Sequence, residues 1–171
     1  MHLNHRILLL ALLLAGIAGA IQAQEEPATV PDPLPVADFQ LADFQGRIVL
    51  VDFWASWCEP CRHSLPWLNT MQQKYGEQGL QVVMVNLDRD AEAAAKMATD
   101  IGGGIKQFLD PAGELAARYD LEGMPSSFVY DQSGRLVKEQ VGFLSSECEA
   151  NEAHLLELLR KKEKETDVEE E

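Results

Sequence analysis

One string limits what this chain can become more than any other feature: Val51-Asp52-Phe53-Trp54-Ala55-Ser56-Trp57-Cys58-Glu59-Pro60-Cys61. It grows out of the β-branched apolar run Ile48-Val49-Leu50-Val51 behind Gly46, which reads as a buried strand from Arg47 to Phe53. Beyond it, Leu65, Leu68, Met71 and Tyr75 recur at spacings of three and four, so the spacing predicts a helix from Cys58 to about Tyr75, stopped by Gly76. Two cysteines therefore stand where a strand hands over to a helix. Unpaired backbone N–H groups and the positive end of the helix dipole favour a thiolate there. The effect is about 0.3–2 kcal/mol, or up to ~1.5 pH units of thiol acidity. Cys58, at the helix mouth, is expected to be the exposed nucleophile. Cys61 falls one turn inward on the same face and is expected to resolve the mixed disulfide.

Other uses of the pair fit less well. A structural disulfide that closes a two-residue gap constrains the unfolded chain little. A zinc site needs two further ligands, and only Cys148 and scattered histidines remain. Haem attachment needs His directly after the second cysteine; Arg62 stands there, and His63 is one place late. No metal or organic cofactor is implied.

The remaining pattern alternates strand and helix. Leu80 to Leu87 reads as a second buried strand, and Asp90 to Ile101 as an Ala-rich helix capped by Asp90 and broken by Gly102-Gly103-Gly104. A short strand near Phe108 and a helix from about Gly113 to Tyr119 follow. Ser126 to Tyr130 and Leu136 to Val141 form a hairpin about the turn Asp131-Gln132-Ser133-Gly134. Ser145 or Ser146 is placed to cap a last helix carrying Leu155, Leu156, Leu158 and Leu159. The order implies an α/β fold: a central mixed sheet, parallel strands plus an antiparallel C-terminal hairpin, with helices on both faces.

The 171 residues give room for one ordinary domain, here 36–160. His2, His5 and Arg6 precede a charge-free apolar run from Ile7 to Ile21, and small residues follow. This describes a secretory signal over 1–23, cleaved after Ala20 or Ala23, or retained as an anchor. Export implies an oxidising compartment such as the periplasm, where disulfides persist. Residues 24–35 carry four prolines and read as an extended linker, and 161–171 as a charged tail that frays. The net charge of −14 argues against nucleic acid as a partner. Cys148 is the leftover thiol, either half-buried packing or a mixed-disulfide handle.

On these residues the chain resembles the thioredoxin superfamily. Ile48 to Pro66 is similar to the thioredoxin active-site region, and the span from about Pro35 to Arg160 resembles the exported TlpA/ResA group. The resemblance implies a thioredoxin-like fold and thiol–disulfide exchange. Asp52, six before Cys58, matches the buried acid that moves protons for the inner cysteine. An Asp between Val51 and Phe53 in a buried strand must neutralise or find a partner, which suits a general base. Pro66 matches the proline that bends the active-site helix. Pro125, in Gly123-Met124-Pro125-Ser126, matches the family's cis proline, and the backbone of Met124 would then pair with an extended substrate. Trp57 is expected to be a partly exposed contact surface, with Trp54 and Trp67 packing. Glu59, with Pro60 in the intervening dipeptide, opposes the Cys58 thiolate and biases the couple towards a reductant.

The expectation is a monomeric reductase acting on disulfides of exported proteins. The resemblance implies apocytochrome c or copper-site thiols as clients, and a membrane thiol-transfer protein as electron donor. An oxidase or isomerase on the same fold is the alternative. A peroxiredoxin-type peroxidase is weaker, because Val51 and Ala55 stand where that family has Pro and Thr. A non-catalytic binding module would tolerate loss of Cys58.

Overall fold

The computed structural model describes residues 34–98 and 101–169, with side chains as far as Lys161. The segment at 1–23 and the linker up to residue 33 lie outside the described residues. So do residues 99–100, within the helix expected to reach Ile101, and the last two residues of the tail.

The strands are β1 (Leu34–Pro35), β2 (Ile48–Trp54), β3 (Leu80–Asn86), β4 (Lys106–Leu109), β5 (Ser126–Tyr130) and β6 (Leu136–Val141). The helices are α1 (Cys61–Tyr75), α2 (Ala91–Ala98), α3 (Glu114–Arg118) and α4 (Cys148–Glu169). The strands form one sheet in the order β1-β4-β3-β2-β5-β6. β2 pairs parallel with β3 and antiparallel with β5, so the strand that leads into the cysteines is central and buried along its whole length. A strand buried on both faces needs the unbroken apolar run that β2 and β3 carry.

Alternation along β2 divides the interior. Ile48, Leu50 and Trp54 join Leu65, Leu68 and Met71 of α1 and Leu155, Leu158 and Leu159 of α4. Val49, Val51 and Phe53 join Phe39, Phe108, Leu115 and Phe128 beneath the other face. Asp52, an even position, is thereby turned towards α1 and α4. In the tight turn between β5 and β6, Asp131 Oδ1 accepts from the backbone N–H of Ser133 (3.1 Å) and Arg135 (3.1 Å).

Four boundaries differ from expectation. Helix α1 opens at Cys61, because Pro60 occupies the cap position and Cys58–Pro60 form a tighter entry turn, with Cys61 N–H donating to Cys58 O at 3.2 Å. Leu34 and Pro35, assigned to the linker, pair with Phe108 and Leu109 as an edge strand, where a proline's missing N–H is tolerated. The last helix is entered through a 3-10 turn over Ser145–Glu147 with no side-chain cap, so the capping serine does not form. That helix also continues through the charged segment to Glu169. Lys and Glu are good helix formers, and Lys161 pairs with Glu157 one turn back at 2.8 Å. Asp90, by contrast, caps α2 as expected, its Oδ1 accepting from Glu92 N–H at 3.0 Å.

Candidate active site

Two segments build the site: the β2–α1 junction and the turn before β5. At the junction Cys58 and Cys61 are joined in a disulfide with Cα atoms 5.3 Å apart. The Cys61 N–H donates to Cys58 Sγ at 3.3 Å, so the first turn of α1 offers a donor to the outer sulfur. This is the interaction that would hold a Cys58 thiolate once the disulfide opens.

The expected exposure of Cys58 needs correction. The residue is 5% exposed and Cys61 is fully buried. The order of the two is as expected, with Cys58, joined to Cys61, keeping a small exposed edge. That edge borders an open groove of about 600 Å³ lined by Trp57, Pro60, Leu87, Leu121 and Met124. Trp57 is 69% exposed and forms the groove's outer wall. Thus Trp57 and Met124, both expected to contact substrate, gather with Pro60 around the sulfur edge, while Pro125 is not among the groove-lining residues.

The Met124–Pro125 peptide bond is cis. Gly142 N–H donates to Pro125 O at 2.7 Å, and Ser126 Oγ donates to Gly123 O at 2.8 Å, which fixes the turn on either side of Met124. The backbone of Met124 itself makes no hydrogen bond among the described residues. It is free to pair with an extended chain laid in the groove.

Asp52 lies on β2, fully buried. Ser127, opposite it on β5, donates from Oγ to Asp52 Oδ2 at 2.6 Å, while Oδ1 is buried with no partner among the described residues. Burial pushes the carboxyl up to about 7, and the Ser127 bond offsets part of that rise. Asp52 shares a cavity wall with Ser64 and Trp67 of α1, and Ser64 Oγ donates to Cys61 O at 3.1 Å. Asp52 therefore faces the first turns of α1, the helix that opens at Cys61.

Glu59 is not left as a bare negative charge. Arg62 Nε pairs with Glu59 Oε2 at 3.3 Å, and Arg62 Nη2 donates to Ser56 O at 3.2 Å. The guanidinium offsets the charge that was expected to oppose the Cys58 thiolate. Sequence reading missed Arg62 in this role, although Glu and Arg three apart on a helix entry signal it. It also missed Ser127 and the clamp at Asp88. There Asp88 Oδ2 accepts from Ser56 N–H and Oδ1 accepts from Ser56 Oγ–H, both at 2.8 Å. Asn86 Nδ2 donates to the same carboxylate at 2.7 Å, so the end of β3 holds the loop that carries Trp57. Trp54 and Trp67 pack, Trp67 against Phe143 at 6.2 Å between ring centroids. Cys148 is a half-buried free thiol whose acidity burial weakens.

A disulfide-linked cysteine pair at the mouth of a helix, a buried acid on the strand leading to it and a cis Met124–Pro125 bond beside the groove define a thioredoxin-fold thiol–disulfide oxidoreductase. The sequence profile of the Redoxin family matches residues 24–157, and the chain belongs to that family. It is 29% identical over 119 residues to the thiol-disulfide oxidoreductase ResA of Bacillus thuringiensis subsp. konkukian, covering 70% of this chain and 69% of that protein. ResA of Geobacillus thermodenitrificans is 28% identical over 154 residues, 83% of this chain and 88% of its own. Among solved structures, a putative thiol:disulfide interchange protein DsbE from Chlorobium tepidum is 38% identical, with a TM-score of 0.67 over 77% of this chain and 99% of that one.

Proposed function

We propose that the protein is a reductase of disulfides in exported proteins, with Cys58 as nucleophile, Cys61 as resolving thiol and Asp52 as the proton acceptor and donor for Cys61. The observation that carries this reading is the buried Asp52, with Oδ1 unpartnered among the described residues, facing the first turns of the helix that opens at Cys61. In the reduced enzyme the Cys58 thiolate attacks one sulfur of a substrate disulfide. That S–S bond breaks, a mixed disulfide forms, and the first substrate thiolate leaves and takes a proton from water. Asp52 then takes the Cys61 proton. The Cys61 thiolate attacks Cys58 Sγ, which forms the intramolecular disulfide and expels the second substrate thiolate. Two electrons pass from the enzyme to the substrate. A thiol donor restores the dithiol by the reverse exchange.

Trp57, Pro60, Met124 and Pro125 hold an extended substrate along the groove. Direction rests on chemistry at the dipeptide: neither Glu59 nor Pro60 is a cation that would stabilise the reduced form, as strongly oxidising sites require. Thioredoxin-like and DsbA-like couples differ by ~150 mV, or ~7 kcal/mol, so the poise is measurable without ambiguity. Clients are apocytochrome c or copper-site thiols, the donor is a membrane thiol-transfer protein, and the enzyme acts as a monomer. The apolar run from Ile7 to Ile21 supports export to the periplasm, as a cleaved signal or an anchor. Among the described residues no helix is long and apolar enough to cross a membrane.

The test is trapping. Cys58→Ser is expected to abolish insulin disulfide reduction, and Cys61→Ser to accumulate mixed disulfides with clients in the native host. A Cys61→Ser protein that captures nothing, or a measured potential near that of DsbA, rejects the reductase assignment.

A further inference from the structure

The cavity that Asp52 lines is small and polar on one side. It measures about 20 Å³ and lies between the β5–β6 hairpin and helices α1 and α4. One water needs roughly 10–15 Å³ of such space and two to four polar partners. Three buried side-chain atoms that lack a partner among the described residues belong to residues lining this one cavity: Asp52 Oδ1, Trp67 Nε1 and His154 Nε2. They come from β2, α1 and α4. One is an acceptor when ionised, one is a donor only, and the imidazole nitrogen can be either.

The other polar groups around the cavity are already committed. Ser127 Oγ is bonded to Asp52 Oδ2, and Ser64 Oγ to Cys61 O. Lys138 of β6 donates to Asn151 Oδ1 of α4, Asn151 Nδ2 donates to Gln140 Oε1 at 3.1 Å, and Gln140 Nε2 donates to Glu147 Oε2 at 2.9 Å. This string ties β6 to the start of α4 across the hairpin side of the cavity. The titratable or charged groups that line the cavity with Asp52 are therefore Lys138 from β6 and His154 from α4, while α1, the helix that opens at Cys61, contributes Ser64 and Trp67 and β3 presents Met84 beside Asp52. Lys138 is an ammonium held by an amide oxygen and has no lone pair with which to accept a proton. His154 has one, and it is only half-buried as a residue while Nε2 is sealed inside. Its ring reaches from the cavity towards the surface.

We infer that this cavity holds a water bridging Asp52 Oδ1, Trp67 Nε1 and His154 Nε2, and that His154 is the relay through which Asp52 exchanges protons with solvent. This rests on the proton-transfer reading of Asp52 given above. Each catalytic cycle delivers one proton from Cys61 to Asp52. That proton passes to the water, the water gives one to His154 Nε2, and the imidazolium releases one to bulk solvent from its outer side. In the reverse direction, when a donor reduces the disulfide, the same chain recharges Asp52, which protonates the departing Cys61 sulfur. No electron moves through the relay, and His154 is a positioning and relay residue that never touches substrate.

The experiment measures resolution of a preformed mixed disulfide by stopped flow, as a function of pH, in the full chain and in variants Asp52→Asn, His154→Gln, Trp67→Phe and the double variant. Below the Asp52 midpoint the acid begins protonated and must shed its proton before Cys61 can be activated; above it, the carboxylate is ready. His154→Gln should therefore slow resolution roughly tenfold near about pH 6 and less than about twofold near about pH 8.5, with added imidazole restoring rate in His154→Ala. Trp67→Phe keeps the ring and deletes the N–H, and should show the same pH-confined defect at smaller size; it tests the relay even if His154 variants fold poorly. In the Asp52→Asn background, His154→Gln should change nothing further. A defect of equal size at every pH, or one that persists in the Asp52→Asn background, overturns the relay. So does an unchanged His154→Gln profile beside a slow Asp52→Asn, which leaves the role of Asp52 standing. An Asp52→Asn enzyme with wild-type resolution instead removes the parent reading.

Discussion

Ser127 Oγ and Asp52 Oδ2 are 2.6 Å apart, across the antiparallel pair that sets these two residues directly opposite each other on β5 and β2. The hydroxyl is the one protein donor that Asp52 has among the described residues. It favours the carboxylate, while burial favours the neutral acid and wins. Replacing Ser127 with Ala removes the opposing effect, so the carboxyl must rise further. A hydrogen bond to a charged group is worth about 1.5–3 kcal/mol, which sets the upper limit of the alkaline displacement at about 1–2 pH units. Carbon-13 NMR titration of the Asp52 carboxyl in Ser127→Ala measures it. An unmoved or acid-shifted midpoint would show that the hydroxyl does not govern the acid.

The same carboxyl makes stability depend on pH. Its folded value, about 7, lies above its ordinary value of 3.8, so the native state holds the proton more tightly than the unfolded chain. The stabilisation is fully present below the ordinary value and is lost as pH rises through the folded one. Denaturant midpoints of the wild type should fall between about pH 4 and about pH 7 and then level, by at most about 4 kcal/mol. Asp52→Asn should lack that slope and be the more stable protein near about pH 8, because no charge is then buried. Parallel pH dependences for the two proteins would contradict this.

Which of these features the sequence carries depends on how local their causes are. Strands β5 and β6 lie at Ser126–Tyr130 and Leu136–Val141, the residues that alternation and the Asp131–Gly134 turn select. Asp52 falls on β2, the buried strand at Ile48–Trp54 that the sequence reads from Arg47 to Phe53, and Cys58 and Cys61 at the junction where it hands over to α1, because the apolar run and the helical spacing are local. What the sequence does not show is set by partners distant along the chain. The strand at Leu34–Pro35 exists only because β4 offers it an edge. Ser127 and Ser56 read as ordinary polar residues until Asp52 and Asp88 meet them. The echo Ala37-Asp38-Phe39-Gln40 and Ala42-Asp43-Phe44-Gln45 is local, and it places Phe39 and Phe44 6.3 Å apart beneath the sheet.

The pair Glu59–Arg62 sets the field beside Cys58. Both side chains are exposed, so each effect is small. Removing the cation should leave the carboxylate unopposed and make the Cys58 thiol less acidic. Removing the anion should do the reverse. Thiolate absorbance titrations of Arg62→Gln and Glu59→Gln are expected to move in opposite directions, each by less than about one pH unit. The double variant should return close to the wild type. Shifts of the same sign in both single variants would mean that the pair acts by shaping the loop and not by charge.

Trp57 owes its position to Asp88. The buried carboxylate accepts from Ser56 N–H and Ser56 Oγ–H, and from Asn86 Nδ2, so truncation leaves donors from two segments without an acceptor. Each buried group left unsatisfied costs about 1–3 kcal/mol, and partial hydration of the loop brings the sum for Asp88→Ala to about 2–4 kcal/mol. For a chain of this size that lowers Tm by roughly 10 °C. Function should respond separately, since the loop bears one wall of the groove while Cys58 and Cys61 stay anchored on α1. Insulin reduction by Asp88→Ala should lose efficiency mainly through a raised KM, measured at a temperature where the variant is fully folded. Asp88→Asn, which retains an acceptor for Ser56 N–H, should recover much of both. An Asp88→Ala protein with wild-type KM and depressed kcat would show instead that the clamp serves the sulfurs and leaves the groove unaffected.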